Sequence, residues 1–373
     1  MSTSTLPPAE RPGYISMDLY DCYESSELNV IYGEARRSIR EAGNSPRHLH
    51  ILYPGIVYRP QDDDSDSDSD SWPCSDGEDA LTEHHYVSRP GLIDFVKSTR
   101  GWEVVEIDLH DYPGFVQDVF HCGRNQQPLR TWTRVRSLSL FSDWRNMPPE
   151  GEDSFDCGLL RMTQQSFPML RVVNLDLKCC SLLSWTLPWA QLTELTLGML
   201  ADLFSWYLEV LGRCSALQTF RLTVGEIQRC DDGHGGGGRR VTVPRLRVFS
   251  IDARESYADL AKSFFDKIQL PELETLEIKD RQSSYSEYEG SDSFFESLRG
   301  CFRRSRCSVR DFSLNVRNLK LKKETICRLL KSVPLLRSLH LAVDVTDVTK
   351  KHIRSLRMPE LAEVTVDSRR SEE

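Results

Sequence analysis

The sequence predicts an α/β solenoid, an arc with parallel β-strands on its concave face and helices on its convex face. Three observations predict it. A six-residue pattern, apolar-x-x-apolar-x-apolar, recurs along the chain; the residue between the last two apolar positions is never apolar; and helix-like stretches separate the copies. This pattern is the signature of leucine-rich repeats, here about twelve with a long and irregular period.

Ten copies of the pattern are complete, and two weaker ones lie upstream. The upstream copies are residues 14–19, with Met17 at the fourth position, and a degenerate one around Leu49 and Ile51. The complete copies, with Ile107 at the fourth position of the first, are residues 104–109, 135–140, 170–175, 192–197, 217–222, 246–251, 273–278, 309–314, 336–341 and 361–366.

The middle residue of each copy indicates that the copies form β-strands with one side facing solvent. Residues two apart on a strand share a face, so the flanking apolar pair points to the core and the middle residue to solvent. A single strand cannot bury its pair alone, and consecutive units therefore stack over one shared core. The middle residues are Asp18, His50, Asp108, Ser139, Asn174, Thr196, Arg221, Ser250, Glu277, Ser313, His340 and Thr365.

Apolar residues at three- and four-residue spacing predict helices between the strands. These helices span residues 27–41, 91–99, 201–214, 257–268, 293–304 and 322–332. Strand followed by helix, repeated, gives right-handed crossovers and a parallel sheet. We therefore expect one solenoid over residues 13–367, after a disordered N-terminus at 1–12, with a Gly-rich loop at 229–240 and a tail at 368–373.

The acidity of the chain belongs to one segment. Residues 61–80 carry nine of the 56 acidic residues and no basic one, which leaves 47 acidic residues against 47 lysines and arginines elsewhere. Low complexity and like charge predict a disordered insert between the second and third repeats. It is either a solvated loop or a phosphorylated one, since Ser65, Ser67 and Ser75 each have an acidic residue three positions on, as acidophilic kinases prefer.

Cysteine and histidine usage predicts neither disulfides nor a metal site. Eleven scattered cysteines include no Cys-x-x-Cys pair, and none of the nine histidines completes a zinc site. Without a signal peptide or an apolar run near ~20 residues, we expect a cytoplasmic or nuclear protein that does not bind membranes. No nucleophile elbow or carboxylate pair stands out, so we expect no catalysis and no cofactor.

An arginine cluster near one predicted helix end has two interpretations. Arg299, Arg303, Arg304, Arg306 and Arg310 could contact phosphate, nucleic acid or an import receptor, or they could be a solvated convex face. Because no aromatic residues interleave as base-stacking platforms require, nucleic-acid binding is not expected.

The predicted inner wall of the arc is acidic. Its basic members are only Arg221 and Lys279. Its acidic members are Asp18, Glu106, Asp108, Asp176, Glu194, Asp252, Glu277, Asp311, Glu363 and Asp367. The asymmetry predicts a protein partner with a basic segment, and the exposed aromatics Tyr20 and Phe141 are further contact candidates. The candidate partner-binding residues are Tyr20, Asp108, His110, Phe141, Asn174, Asp176, Glu194, Arg221, Asp252, Glu277, Asn315 and His340.

Several repeat runs resemble the C-terminal leucine-rich-repeat region of F-box proteins, especially the expanded set of mushroom-forming fungi. They are FPMLRVVNLDL (167–177), LPWAQLTELTLG (187–198), PELETLEI (271–278) and PLLRSLHL (334–341), and the resemblance extends over about residues 12–367. In that family an N-terminal F-box docks on a Skp1-type adaptor, and the repeats present a substrate to a cullin-based ubiquitin ligase. The resemblance implies a non-catalytic recognition module, either a substrate receptor or a decoy.

The chain departs from this family at its start. Only thirteen residues precede the first predicted strand, too few for a helical F-box, so the F-box is expected to be missing and adaptor binding is not expected. The alternative function is a leucine-rich-repeat inhibitor or scaffold unrelated to ubiquitination.

Overall fold

A twelve-stranded parallel sheet forms one face of the protein, and its strand order follows the chain. The computed structural model describes residues 13–19, 25–43, 45, 47–52, 56–58, 85–87, 89–109, 114–120, 132–142, 162–177, 185–198, 204–224, 240–253, 264–280, 291–346, 350–356 and 358–368. The predicted disordered N-terminus, the acidic insert with its three serines, nearly all of the Gly-rich loop and all but the first residue of the tail lie outside these residues.

Each strand of the large sheet is one repeat. In chain order, β1 to β12 are Tyr14–Asp18, Arg47–Leu52, Trp102–Asp108, Ser137–Ser142, Val172–Leu177, Glu194–Gly198, Thr219–Val224, Val248–Ala253, Thr275–Asp280, Asp311–Leu321, Ser338–Thr346 and Glu363–Ser368. All eleven neighbouring pairs are parallel. The predicted fold, a leucine-rich-repeat solenoid of twelve irregular repeats, is confirmed.

Seven helices whose bounds are described lie on the convex side of this sheet, and residues 264–267, at the end of the helix predicted over 257–268, are helical as well. In chain order, α1 to α7 are Ser25–Ala42, Pro90–Ser98, Gly114–Phe120, Phe204–Arg213, Ser291–Ser305, Lys323–Leu330 and Lys350–Arg354. Sequence periodicity predicts five of them to within a few residues, and the two short ones, α3 and α7, have too few turns to show it. None of these described helices combines the length and apolar character needed to cross a bilayer.

The core runs without a break under the sheet. Leu195, Phe220, Leu276 and Leu339 occupy equivalent positions in four repeats, and all are fully buried. The rings of Phe220 and Phe249 on adjacent strands stack with centroids 5.5 Å apart. Because each repeat contacts only its neighbours, this lateral packing is what holds the array together.

The first repeats differ from the predicted register by two residues. The structure aligns Val105, not Ile107, with Leu138, and the fully buried Trp102 takes the first apolar position of the third repeat. Ile15, not Met17, likewise aligns with Leu49. Since the side-chain period of a strand is two, the shift leaves every residue on its predicted face.

Two small strand pairs flank the main sheet. Val241–Thr242 pairs in parallel with Ile268–Gln269, and Ile56–Tyr58 pairs antiparallel with His85–Val87. The two strands of the antiparallel pair precede and follow the acidic insert in the chain, and they lie side by side. In the main sheet β2 pairs directly with β3. The insert therefore lengthens the second repeat without interrupting the sheet.

Candidate functional site: a polar wall on the concave face

The solvent-facing side of the twelve strands, here called the polar wall, carries three rows of side chains. The row towards the strand beginnings, here called the proximal row, is Tyr14, His48, Val104, Ser137, Val172, Glu194, Thr219, Val248, Thr275, Asp311, Ser338 and Glu363. The central row is Ser16, His50, Glu106, Ser139, Asn174, Thr196, Arg221, Ser250, Glu277, Ser313, His340 and Thr365. The row towards the strand ends, here called the distal row, is Asp18, Leu52, Asp108, Phe141, Asp176, Gly198, Thr223, Asp252, Lys279, Asn315, Ala342 and Asp367. The two-residue register shift moves Asp18 and Asp108 from the predicted central row into the distal row.

The ten described candidate contact residues all lie on this wall. Asp108, Phe141 and Asp176 are consecutive register partners in the distal row. Eight strand steps separate Asp108 from His340, which at about 4.8 Å a step is about 40 Å along the sheet. Tyr20 and His110 lie outside the described residues. The arrangement is an extended surface and not a pocket, and it suits an extended ligand.

The wall has an excess of carboxylates, and its two cations are already paired. The Arg221 guanidinium lies 3.9 Å from a carboxylate oxygen of Glu194, and Lys279 Nζ lies 2.7 Å from Glu277 Oε1. Among the residues whose side chains are described, ten carboxylates face this side of the sheet against these two cations. The three rows together therefore present a negative surface to solvent.

Glu277 is the best-organised carboxylate of the wall. It accepts hydrogen bonds from the Ser250 hydroxyl at 3.0 Å and from Lys279. Partial burial opposes its ionisation, but the hydrogen bonds from Lys279 and Ser250 and the nearby positive charges outweigh burial, so the pKa of Glu277 is lowered. Glu277 is thus a carboxylate fixed in position and ionised at neutral pH.

Aromatic and histidine rings gather at the first end of the wall. His48 Nε2 lies 2.9 Å from Glu106 Oε2, and the rings of Tyr14 and His48 meet edge to face at 4.6 Å. The hydrogen bond with His48 lowers the pKa of Glu106. His50 Nδ1 lies 3.3 Å from the hydroxyls of both Tyr14 and Ser16. No group of described His, Cys, Asp or Glu residues has the arrangement of a metal site.

A row of arginines borders the wall where the strands begin, and the sequence analysis missed it. The residues at the second position of the repeat are joined from strand to strand by backbone hydrogen bonds, and five of them are Arg136, Arg171, Arg247, Arg310 and Arg337. One of the two interpretations of the arginine cluster placed Arg310 on the convex face, but it belongs to this edge. The signal was available, because the second position of each copy can be read off the same pattern that predicted the strands.

Two of the five edge arginines form ion pairs, and a third donates to a backbone carbonyl. Arg247 and Arg337 form ion pairs with Glu272 and Glu360, at 3.6 and 3.7 Å, and in both cases the glutamate belongs to the next repeat. Arg171 donates to the carbonyl of Leu170 at 2.9 Å. The two ion pairs link neighbouring repeats and reduce the positive charge of the edge.

Comparisons with known proteins do not place the chain in a family. No family model matches it, and no curated protein matches it. A chain in the crystal structure of the Rad7 and Elc1 complex in yeast is similar at 12% identity with a TM-score of 0.28, over 73% of this chain and 77% of that chain. So distant a likeness carries no argument about function, and the fold assignment rests on the sheet itself.

Proposed function

We propose that the chain is a non-catalytic recognition module that holds a basic, extended segment of a protein partner on its polar wall. One observation carries the proposal: carboxylates are in excess on one continuous face. The two described cations of that face are already paired, Arg221 with Glu194 and Lys279 with Glu277. A row of like charges attracts an oppositely charged segment. Such charge complementarity fixes the register in which the segment binds and contributes less to the binding affinity. Side chains of Lys or Arg on such a segment would meet carboxylates at successive strands.

The resemblance of the repeat runs to F-box proteins supports a finer proposal about the partner. It would be a substrate of a cullin-type ubiquitin ligase, either presented to the ligase by a receptor or withheld from it by a decoy. Co-precipitation with a Skp1-type adaptor separates these roles. A receptor brings the adaptor with it, whereas a decoy or a ubiquitin-independent scaffold does not.

The test of the wall is its salt-dependent binding to a labelled peptide of alternating Lys and Gly, measured by fluorescence anisotropy at 50 mM and 500 mM salt. Binding should weaken at least about tenfold at the higher salt, because both partners are solvent-exposed. The double variant Glu194→Gln/Glu277→Gln removes two carboxylates and frees two cations, and it should bind about tenfold more weakly at low salt.

The matched control is Glu34→Gln/Glu41→Gln, which makes the same charge change on α1. Both glutamates are exposed and lie on the convex side. Equal losses for the two double variants would mean that net charge, and not the wall, attracts the peptide. An affinity for the peptide that is the same at both salt concentrations would also contradict the proposal.

A further inference from the structure

An arginine-lined cavity opens at the edge of the sheet where β2, β3 and β4 begin. Its volume is about 370 Å³. Arg47, Arg100 and Arg134 line it together with Ser45 and Thr133, and its described lining contains no carboxylate. The cavity belongs to none of the three rows of the wall, so it is a separate site from the one proposed to hold a basic segment.

Arg47 is fixed in the cavity without being neutralised. Its guanidinium donates to the backbone carbonyl of Gly43 at 3.1 Å and to that of Arg100. These carbonyls orient the group but carry no full negative charge. Because a guanidinium has five N–H donors, three remain for a ligand. Gly101, with φ of 88°, lies beside it, and even a Cβ there would stay 3.6 Å from Nη1.

Arg100 and Arg134 add two more uncompensated charges. Both are exposed, and neither side chain has a hydrogen bond or ion pair within the described part of the chain. Glu103, the nearest acidic residue along the chain, forms no described ion pair either. The like charges of three arginines that line one cavity repel one another, and that cost is relieved when an anion binds there. Arg247 and Arg337 along the same edge are each paired with a glutamate, whereas no described carboxylate pairs with the three arginines of the cavity.

We propose that this cavity binds a phosphate monoester dianion. A guanidinium matches two phosphate oxygens at once, and charge-assisted hydrogen bonds of this kind are about twice as strong as neutral ones. The volume lies within the range of small-ligand sites and admits a phosphate with part of the group that carries it. The phosphate belongs either to a phosphorylated side chain of a protein partner or to a free phosphorylated small molecule.

The test is calorimetric titration of the full chain with three probes: inorganic phosphate, a short phosphoserine peptide, and the same peptide without phosphate. Arg100→Gln and Arg134→Gln should each weaken phosphate binding about tenfold, the loss expected for one charge-assisted hydrogen bond. Neither side chain makes a described contact, and the Arg100 carbonyl that accepts from Arg47 stays in place, so both variants should keep the wild-type thermal midpoint. The matched control is Arg245→Gln, because Arg245 precedes the first apolar residue of its repeat just as Arg134 does, and it also makes no described contact.

The outcomes separate the two sources of phosphate and can overturn the site. Arginine-dependent binding of the phosphopeptide but not of inorganic phosphate supports a phosphorylated partner, and the reverse supports a free small molecule. Equal, measurable affinity for the two peptides overturns the proposal. So does an equal effect of Arg245→Gln and Arg134→Gln, or the absence of binding by any probe. The Lys and Gly peptide that tests the polar wall carries no phosphate. The outcome of the phosphate titrations is therefore independent of the outcome for the proposed function.

Discussion

The Asp176 side chain lies over Gly198 of the neighbouring strand. The two are register partners in the distal row, and a Cβ built on Gly198 would come 2.6 Å from Asp176 Cγ and 3.0 Å from its Cα. Because the Cα is part of the backbone, rotating the carboxylate away would not make enough room. Gly198 is thus required by close approach between strands at the middle of the wall.

Replacing Gly198 by alanine should therefore destabilise the fold by about 1–3 kcal/mol, the usual cost of overpacking. The control is Gly212→Ala in α4, where the new Cβ would lie 3.6 Å from Val241 Cγ1, an ordinary contact. Alanine there should stabilise by up to about 1 kcal/mol, since glycine is a poor helix former. Urea unfolding followed by circular dichroism measures both. Similar shifts for the two variants would contradict the close approach.

A second prediction concerns two leucines with opposite environments. Leu276 is fully buried in the shared core, whereas Leu335 is 46% exposed at the start of a later repeat. Leu276→Ala should cost about 2–5 kcal/mol of unfolding free energy, because it leaves a cavity between two neighbouring strands. Leu335→Ala should change it by less than about 0.5 kcal/mol. A small loss at Leu276 would mean that the repeats do not share a tight core.

The hydrogen bonds of Glu277 predict a pH-dependent contribution to stability. Its folded pKa is lowered, so this carboxylate stabilises the fold above the ordinary value near 4.5, and the gain is lost as pH falls through the lower folded pKa. Both Glu277 and Lys279 are more than a third exposed, which limits the gain to about 1 kcal/mol. Unfolding of wild type and Glu277→Gln between pH 7 and 3 should show a difference that fades below pH 4.5.

The matched control for this pH series is Glu363→Gln on β12. Glu363 also faces the wall, but removing its carboxylate breaks no described contact. A difference for Glu277→Gln that grows on acidification would reverse the predicted sign and exclude the proposed stabilisation.

Two buried thiols should be unreactive in the folded protein. Burial raises the pKa of Cys214 to about 12 and that of Cys301 to about 11. At pH 8 less than about one molecule in a thousand then carries the reactive thiolate at either site. Iodoacetamide labelling, resolved by mass spectrometry, should modify both only after unfolding. Rapid labelling of native Cys301 would show that the helix carrying it opens readily.

The repeat pattern was enough to predict the sheet, because the alternation of buried and exposed residues has a fixed period that every copy repeats. It did not set the register of the first strands. Copies 14–19 and 104–109 each allow a second alignment two residues earlier, and for copy 104–109 the burial of Trp102 in the core favours the earlier one. The position of the ten described candidate contact residues on the solvent-facing side of the sheet followed from the alternation alone, which is insensitive to such a shift.

What the sequence determined by itself is the repeated strand, its two faces and the acidic character of one of them, since these depend on residues close together in the chain. Tertiary structure alone decided the arginine cavity, because Arg47, Arg100 and Arg134 come from three repeats and meet only when consecutive strands start at the same edge. It also decided that Arg221 and Lys279 are paired, and that Asp176 leaves no room for a side chain at position 198. Residues that contact each other across repeats are far apart in the chain. Because the loops between strands differ in length, sequence separation does not show which residues of adjacent repeats become neighbours.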